Sequence, residues 1–403
     1  MRRIPPAILH PLLFLLTFAT TTFAGLEWIG GDTVLLPSQI SPEGWRGALL
    51  FSSLFLGILT VHEFGHYFTA RYYAIKASLP YYIPLWLGFL GIPSIGTAGA
   101  VIRFREKLKT NLHFFDVGIA GPLAGFVVVV AVLIIGFNTL PAPEYIYDIH
   151  PHYRQYGANY DKVVYAPGYV DPTMRTLVLL DPNNGIFTDE QLQEAMDQQG
   201  GTLTLGPSLF FGWMSKLAPD QSLVPNMHEV FHYPWLFAGY LALFFTALNL
   251  LPIGQLDGGH ILYGLIGRRR HAFVSLFIFA GFITYAGLGI ISPYDTPENL
   301  LWYIPFYVAF LLLLFSRTTY SWKYRVIYAM SILAIQLLIQ AIWPGVEGYP
   351  GWLLFAFFIG RVSGVYHPKA SVEEPLGLWR QVLGWLSLLI FFLCFTPQPL
   401  IYL

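Results

Sequence analysis

Residues 54–68 read Leu54-Phe55-Leu56-Gly57-Ile58-Leu59-Thr60-Val61-His62-Glu63-Phe64-Gly65-His66-Tyr67-Phe68. Two imidazoles and a carboxylate interrupt an otherwise apolar run. Such groups are costly in a lipid-spanning helix and mark a functional site when they occur in one. Histidines four residues apart lie one above the other on a single helical face. Both rings can therefore reach one Zn²⁺, with the glutamate beside the metal as base for its water. Motif and setting together predict metal-assisted hydrolysis carried out within a membrane.

The composition agrees. Of 403 residues, 55% are hydrophobic, 17% aromatic and only 11% charged, where soluble domains carry about 25% charged residues. Most of the chain is therefore expected to be solvated by lipid or buried among helices that are. The net charge of −1 provides no basic field for nucleic acid, and none is expected as a partner. The single cysteine, Cys394, excludes an intrachain disulfide and a cysteine-based zinc site.

Apolar stretches of about 17–25 residues fall at 8–24, 47–70, 113–138, 233–253, 271–292, 301–316, 324–343, 350–366 and 381–399. The eighth is short and holds Gly360 and Arg361. The expected fold is an all-α polytopic membrane protein with about eight to nine transmembrane helices. A further apolar stretch, 79–102, carries Pro80, Pro84 and Pro93 with Gly88, Gly91, Gly96 and Gly99. That density breaks helices, so a re-entrant β-hairpin-like element packed against protein is expected.

Lysines and arginines cluster before the first span, at Arg2 and Arg3, and then after alternate spans, at Arg71 to Lys109, Arg268 to Arg270, Arg317 to Arg325, and Arg361 with Lys369. With the N-terminus inside, all fall on the cytoplasmic side. The 141–232 segment then lies outside, with eleven acidic residues against four basic. The chain divides into a first helix and external loop (1–46), a catalytic membrane core in two parts (47–140 and 233–267), the extracytoplasmic insertion (141–232) and additional C-terminal helices (268–403). Within the insertion, 188–198 reads as helix, 181–185 as a turn, and 205–214 as apolar enough for the membrane surface. The first span is read as a retained helix, although Arg2-Arg3 and Thr22-Phe23-Ala24 also suit a cleaved signal peptide.

A second match to the same pattern, His228-Glu229-Val230-Phe231-His232, sits at the outer end of the fourth span. Pro234 follows closely and disfavours helix there, so His228 and His232 are read as interfacial residues rather than metal ligands. The first match has a candidate third ligand in Asp257, the only acid between Glu229 and Asp295. From 232 to 257 is about 38 Å of helix, so Asp257 reaches His62 and His66 rather than the second copy. Pro252 and Gly254 break the helix beside it, and His260 stands as a competing ligand.

The chain resembles the site-2 protease family of intramembrane zinc metalloproteases. The resemblance rests on His62-Glu63-Phe64-Gly65-His66, on Asn249-Leu250-Leu251-Pro252 with Leu256-Asp257-Gly258-Gly259, and on Ile119-Ala120-Gly121-Pro122-Leu123-Ala124-Gly125 between them. It covers 55–267 most clearly, with Thr97 to Ile102 as the hairpin, and is similar to the plastid and bacterial branch without PDZ or CBS modules. It implies one catalytic Zn²⁺ held by His62, His66 and Asp257, Glu63 as the catalytic base, and Asn249 as a substrate-binding residue. It also implies single-span membrane proteins as substrates in regulated intramembrane proteolysis, and a place in the bilayer of a bacterial plasma membrane with the active site toward the cytoplasm. The alternatives are a metal transporter or sensor, or an inactive homologue that binds membrane proteins.

Overall fold

Ser41 accepts a hydrogen bond from Gly44 N at 3.0 Å, and Pro42 and Glu43 occupy the first turn that follows, a favourable helix start. In the computed structural model, which describes residues 5–30, 41–166, 203–319 and 321–402, this start opens helix α2, Pro42–Tyr72. It is preceded by α1 (Pro6–Gly30) and followed by a hairpin of β1 (Tyr81–Leu85) and β2 (Gly96–Val101). Then come α3 (Asn111–Asn138), α4 (Tyr145–Ile149), α5 (Tyr160–Val164), β3 (Leu203–Leu205), α6 (Leu209–Ser215), α7 (Pro234–Leu250) and α8 (Asp257–Ala286). The C-terminal part contains α9 (Pro297–Leu314), α10 (Trp322–Ile342), α11 (Gly351–Phe358), α12 (Leu378–Cys394) and β4 (Leu400–Tyr402).

The molecule is an all-α polytopic membrane protein. Among the described residues, five helices are long and apolar enough to cross a membrane: α1, α2, α3, α9 with its extension to Arg317, and α10. Three shorter apolar helices join them, α7, α11 with a wide turn to Ser363, and α12. The span expected at 271–292 is the second part of α8, which breaks at Gly267 (φ 74°) beside Arg268–Arg270 and ends at Ala286. The stretch expected at 350–366 yields only α11 and its turn before the chain leaves at Gly364 (φ 84°).

Residues 79–102 form the expected hairpin. Antiparallel pairing runs from Tyr81 with Val101 to Leu85 with Gly96, with a bulge between Tyr82 and Pro84. Helix α1 anchors it: Thr20 donates to Gly96 O at 2.7 Å and Trp28 Nε1 to Ser94 O at 2.8 Å. Gly96 has a φ of +80°, and a Cβ there would lie 2.3 Å from Thr21 Cα, so only glycine allows this approach. Of the insertion, 141–166 and 203–232 are described; the helix and turn expected at 188–198 and 181–185 lie outside the described residues. The apolar stretch at 205–214 becomes α6, whose Phe210 and Phe211 bury against Phe126 and Phe137 of α3, while Leu209 and Trp213 stay exposed. Strand β3 pairs with β4, tying this segment to the chain's end.

Candidate active site

Helix α3 packs along α2, and both α7 and α8 pack on α3. These four helices assemble the site. His62 and His66 project from one face of α2, their Nε2 atoms 3.1 Å apart. His66 Nδ1 lies 2.7 Å from Val117 O. A carbonyl only accepts, so Nδ1 carries the proton and Nε2 keeps its lone pair for the site.

Asp257 arrives by a tight turn. Helix α7 ends at Leu250, and the chain turns through Leu251–Leu256 with Gly254 at a φ of +58°. A Cβ on Gly254 would lie 1.9 Å from Gly364 O, so this turn is fixed by glycine. Ser275 Oγ donates to Pro252 O at 3.3 Å, and Gln255 Nε2 donates to Ser363 O at 2.8 Å. Asp257 then opens α8, where a carboxylate also suits the helix dipole. Its Oδ2 lies 3.5 Å from His62 Nε2 and 3.3 Å from His66 Nε2.

These three edges can be compared with a metal's requirement. Donors about 2.0–2.1 Å from zinc in a tetrahedron lie about 3.3 Å from one another. Two imidazoles and a carboxylate at 3.1, 3.3 and 3.5 Å fit that arrangement and leave the fourth corner open. Glu63 is buried one residue along α2. It lines, with all three, a cavity of about 260 Å³ whose other wall includes Ala100, Val101 and Ile102 at the end of β2. Asn249 borders the same cavity, its amide nitrogen 3.4 Å from His62 Nε2. The five residues singled out in the sequence are thus together. His260 lines the same cavity but is not one of the three grouped donors: its Nδ1 pairs with His367 Nε2 at 2.7 Å, and its ring stacks on Phe114.

The glycines of α3 have a larger part than helix packing. A Cβ on Gly121 would lie 2.2 Å from His66 Nε2, and one on Gly125 would lie 3.2 Å from His62 Cβ. Gly121→Ala is therefore expected to push the His66 ring off its position and weaken zinc binding by about 10–100-fold, as lost orienting contacts do. Gly57, where a Cβ meets nothing within 4 Å, is the control. Zinc retained equally by Gly121→Ala and Gly57→Ala proteins at equal free zinc would contradict this reading.

The second motif behaves differently. The chain winds as a 3₁₀ turn over Val230–His232 before α7 starts at Pro234, so His228 and His232 do not share a face. His228 is half-buried and stacks on Tyr165 with ring centroids 3.9 Å apart. His232 is not the interfacial residue expected: it is 4% exposed and lies beside His150 and Glu229. Burial pushes Glu229 up to about 7 and His232 down to about 3. His150 carried no recognisable signal in the sequence, because only the folded insertion brings it to the others.

Comparison with known proteins follows the same residues. The model of peptidase family M50 matches residues 50–291, which include both halves of the site. The chain is 26% identical over 237 residues to the probable zinc metalloprotease EGY2, chloroplastic, of Oryza sativa subsp. indica, covering 59% of this chain and 32% of that protein. It is 27% identical over 235 residues to the probable zinc metalloprotease EGY1, chloroplastic, of Arabidopsis thaliana, covering 58% and 32%. The EGY1 protein of Oryza sativa subsp. japonica gives 27% over 248 residues, 61% and 32%. The matched stretch spans about a third of the length of these relatives. No solved structure matches the chain.

Proposed function

The chain belongs to peptidase family M50, and from that premise we propose that it is a zinc endopeptidase cutting single-span membrane proteins within or beside their transmembrane segments. The observation that carries this reading is the convergence of His62, His66 and Asp257 at tetrahedral spacing, with buried Glu63 in the same cavity. The names of the relatives as zinc metalloproteases support the choice of metal and of reaction.

In this account His62, His66 and Asp257 would hold the ion. Bound there, zinc would supply a Lewis acid that polarises the scissile carbonyl and makes water at the site more acidic. Glu63 takes a proton from the water as the water oxygen bonds to the carbonyl carbon. It then delivers that proton to the amide nitrogen as the C–N bond breaks. Val117 keeps His66 in the tautomer whose lone pair faces the ion. Asn249, an amide with both donors and an acceptor, holds substrate backbone beside His62.

A helical substrate hides its amides in intact hydrogen bonds, so it has to unwind before it is cut. Among the described residues, strand β2 pairs only with β1, and its last residues line the catalytic cavity. We infer that an extended substrate segment adds to the free edge of β2, a common mode of peptide capture. The basic clusters favour an orientation with the His62 end toward the positive, cytoplasmic side of a bacterial membrane, and the process is the regulated cleavage of membrane-anchored proteins.

The test uses purified full-length protein in detergent and a set of single-span peptides, each paired with its soluble segment alone. The expected outcome is cleavage of at least one spanning peptide, with its soluble counterpart cut more slowly. Proline placed at Ala100 is expected to lower that cleavage by interrupting the edge. Cleavage of soluble counterparts alone would contradict the membrane reading, and an unaffected Ala100→Pro enzyme would contradict the edge.

A further inference from the structure

Glu229 presents a problem that its own neighbours do not solve. It is 1% exposed, and Tyr165 donates to its Oε1, but its Oε2 has no hydrogen-bond partner. A buried carboxylate oxygen left unpaired loses its hydration with nothing in return. Two imidazole nitrogens lie close by, His232 Nε2 at 3.6 Å and His150 Nε2 at 3.9 Å. Both distances are too long for a hydrogen bond. The two nitrogens are 3.1 Å from each other.

The tautomer of His232 is set from outside the cluster. Its Nδ1 lies 2.8 Å from Ile29 O, so Nδ1 carries the proton and Nε2 presents its lone pair toward Glu229 and His150. His66 is held by Val117 O in the same way. Metal-ligating histidines characteristically donate their other ring N–H to such a carbonyl. The donor edges here are 3.1, 3.6 and 3.9 Å, against about 3.3 Å for a tetrahedral zinc site. Glu229 and His232 reach one point because i and i+3 eclipse in a 3₁₀ turn. His150 comes from the other arm of the insertion, held by stacking on Tyr153.

We propose that His150, Glu229 and His232 form a second divalent-cation site, of the zinc class, separate from the catalytic one. Two imidazoles and one carboxylate without sulfur suit zinc. One cation accepts the lone pairs of all three side chains at once, the orphaned Oε2 included. The site lies before the first residue of α7, whereas Asn249 of the catalytic cavity lies near its last. Seventeen residues of helix put about 25 Å between them, too far for a shared two-metal reaction. The site is a clip. It joins the start of the insertion to its end, and through Ile29 to the end of α1.

The test takes full-length protein in detergent, counts its zinc by elemental analysis, and titrates the chelated protein with Co²⁺. Wild type is expected to hold two equivalents, and His62→Ala/His66→Ala protein one. Adding Glu229→Gln or His150→Ala to that background removes the remaining equivalent and the visible absorption of bound Co²⁺. Adding His228→Ala leaves both readings unchanged, because His228 is engaged with Tyr165 instead. Zinc is also expected to slow tryptic cleavage after Arg154 and Lys162 in the His62→Ala/His66→Ala protein, and not once Glu229→Gln is added. The proposal is overturned if the His62→Ala/His66→Ala protein holds no metal, or if its metal survives both Glu229→Gln and His150→Ala. Loss of that metal with His228→Ala, or unchanged trypsin sensitivity with and without zinc, would also overturn it.

Discussion

Glu63→Gln protein is expected to hold as much zinc as wild type in the His62 site and to cleave membrane peptides about 10²–10⁴-fold more slowly, the usual contribution of a general base. Glutamine has nearly the same shape and keeps the packing of a residue that is 6% exposed. It cannot take a proton from water or return one to the leaving nitrogen. Because Glu63 is not among the three side chains at tetrahedral spacing, its loss leaves the ion in place. The loss should fall on kcat with little change in KM, since a base acts in the transition state. Cleavage equal to wild type would remove Glu63 from the reaction, and loss of zinc would make it a ligand.

Asp257→Ala is expected to separate the same two readings in the opposite sense. Orienting partners of a metal ligand are worth about 10–100-fold in affinity, and a ligand itself should exceed that, so zinc binding at this site falls by more than about 100-fold. Activity falls with it at ordinary zinc concentrations. Asp257 is also the group that faces both imidazoles, at 3.5 and 3.3 Å, and alanine leaves those rings without a counter-charge. Excess zinc should recover part of the lost activity in Asp257→Ala and none in Glu63→Gln. Full zinc occupancy and full activity in Asp257→Ala would mean that another group, His260 foremost, completes the site.

The catalytic half of the structure was readable because polar residues are rare in it. A lone acid in a long apolar interval, Asp257, stands out for the same physical reason that it is expensive to bury. Pro252 and Gly254 announced the broken helix that delivers it. The density of proline and glycine in 79–102 excluded a span, and pairing of β1 with β2 is what remained. The small residues of α3 were visible as a packing face, but their contact with the ring of His66 depends on how α3 lies against α2. Three-residue strands such as β3 and β4 have no periodicity to detect, and their pairing joins segments nearly two hundred residues apart. The cluster of His150, Glu229 and His232 was hidden for a related reason. The five-residue pattern directs attention to His228, whereas the 3₁₀ turn selects Glu229 with His232 and takes its third member from a distant arm.

One measurement bears most directly on the catalytic account. A single-span peptide is reconstituted with full-length protein in lipid bilayers, and its products are mass-analysed before chelation, after chelation and after zinc is restored. The account predicts a cut within or beside the apolar segment that vanishes with the metal and returns with zinc, and that Glu63→Gln protein does not make under any of the three conditions. Products that persist through chelation, or that Glu63→Gln protein makes as fast as wild type, would contradict it.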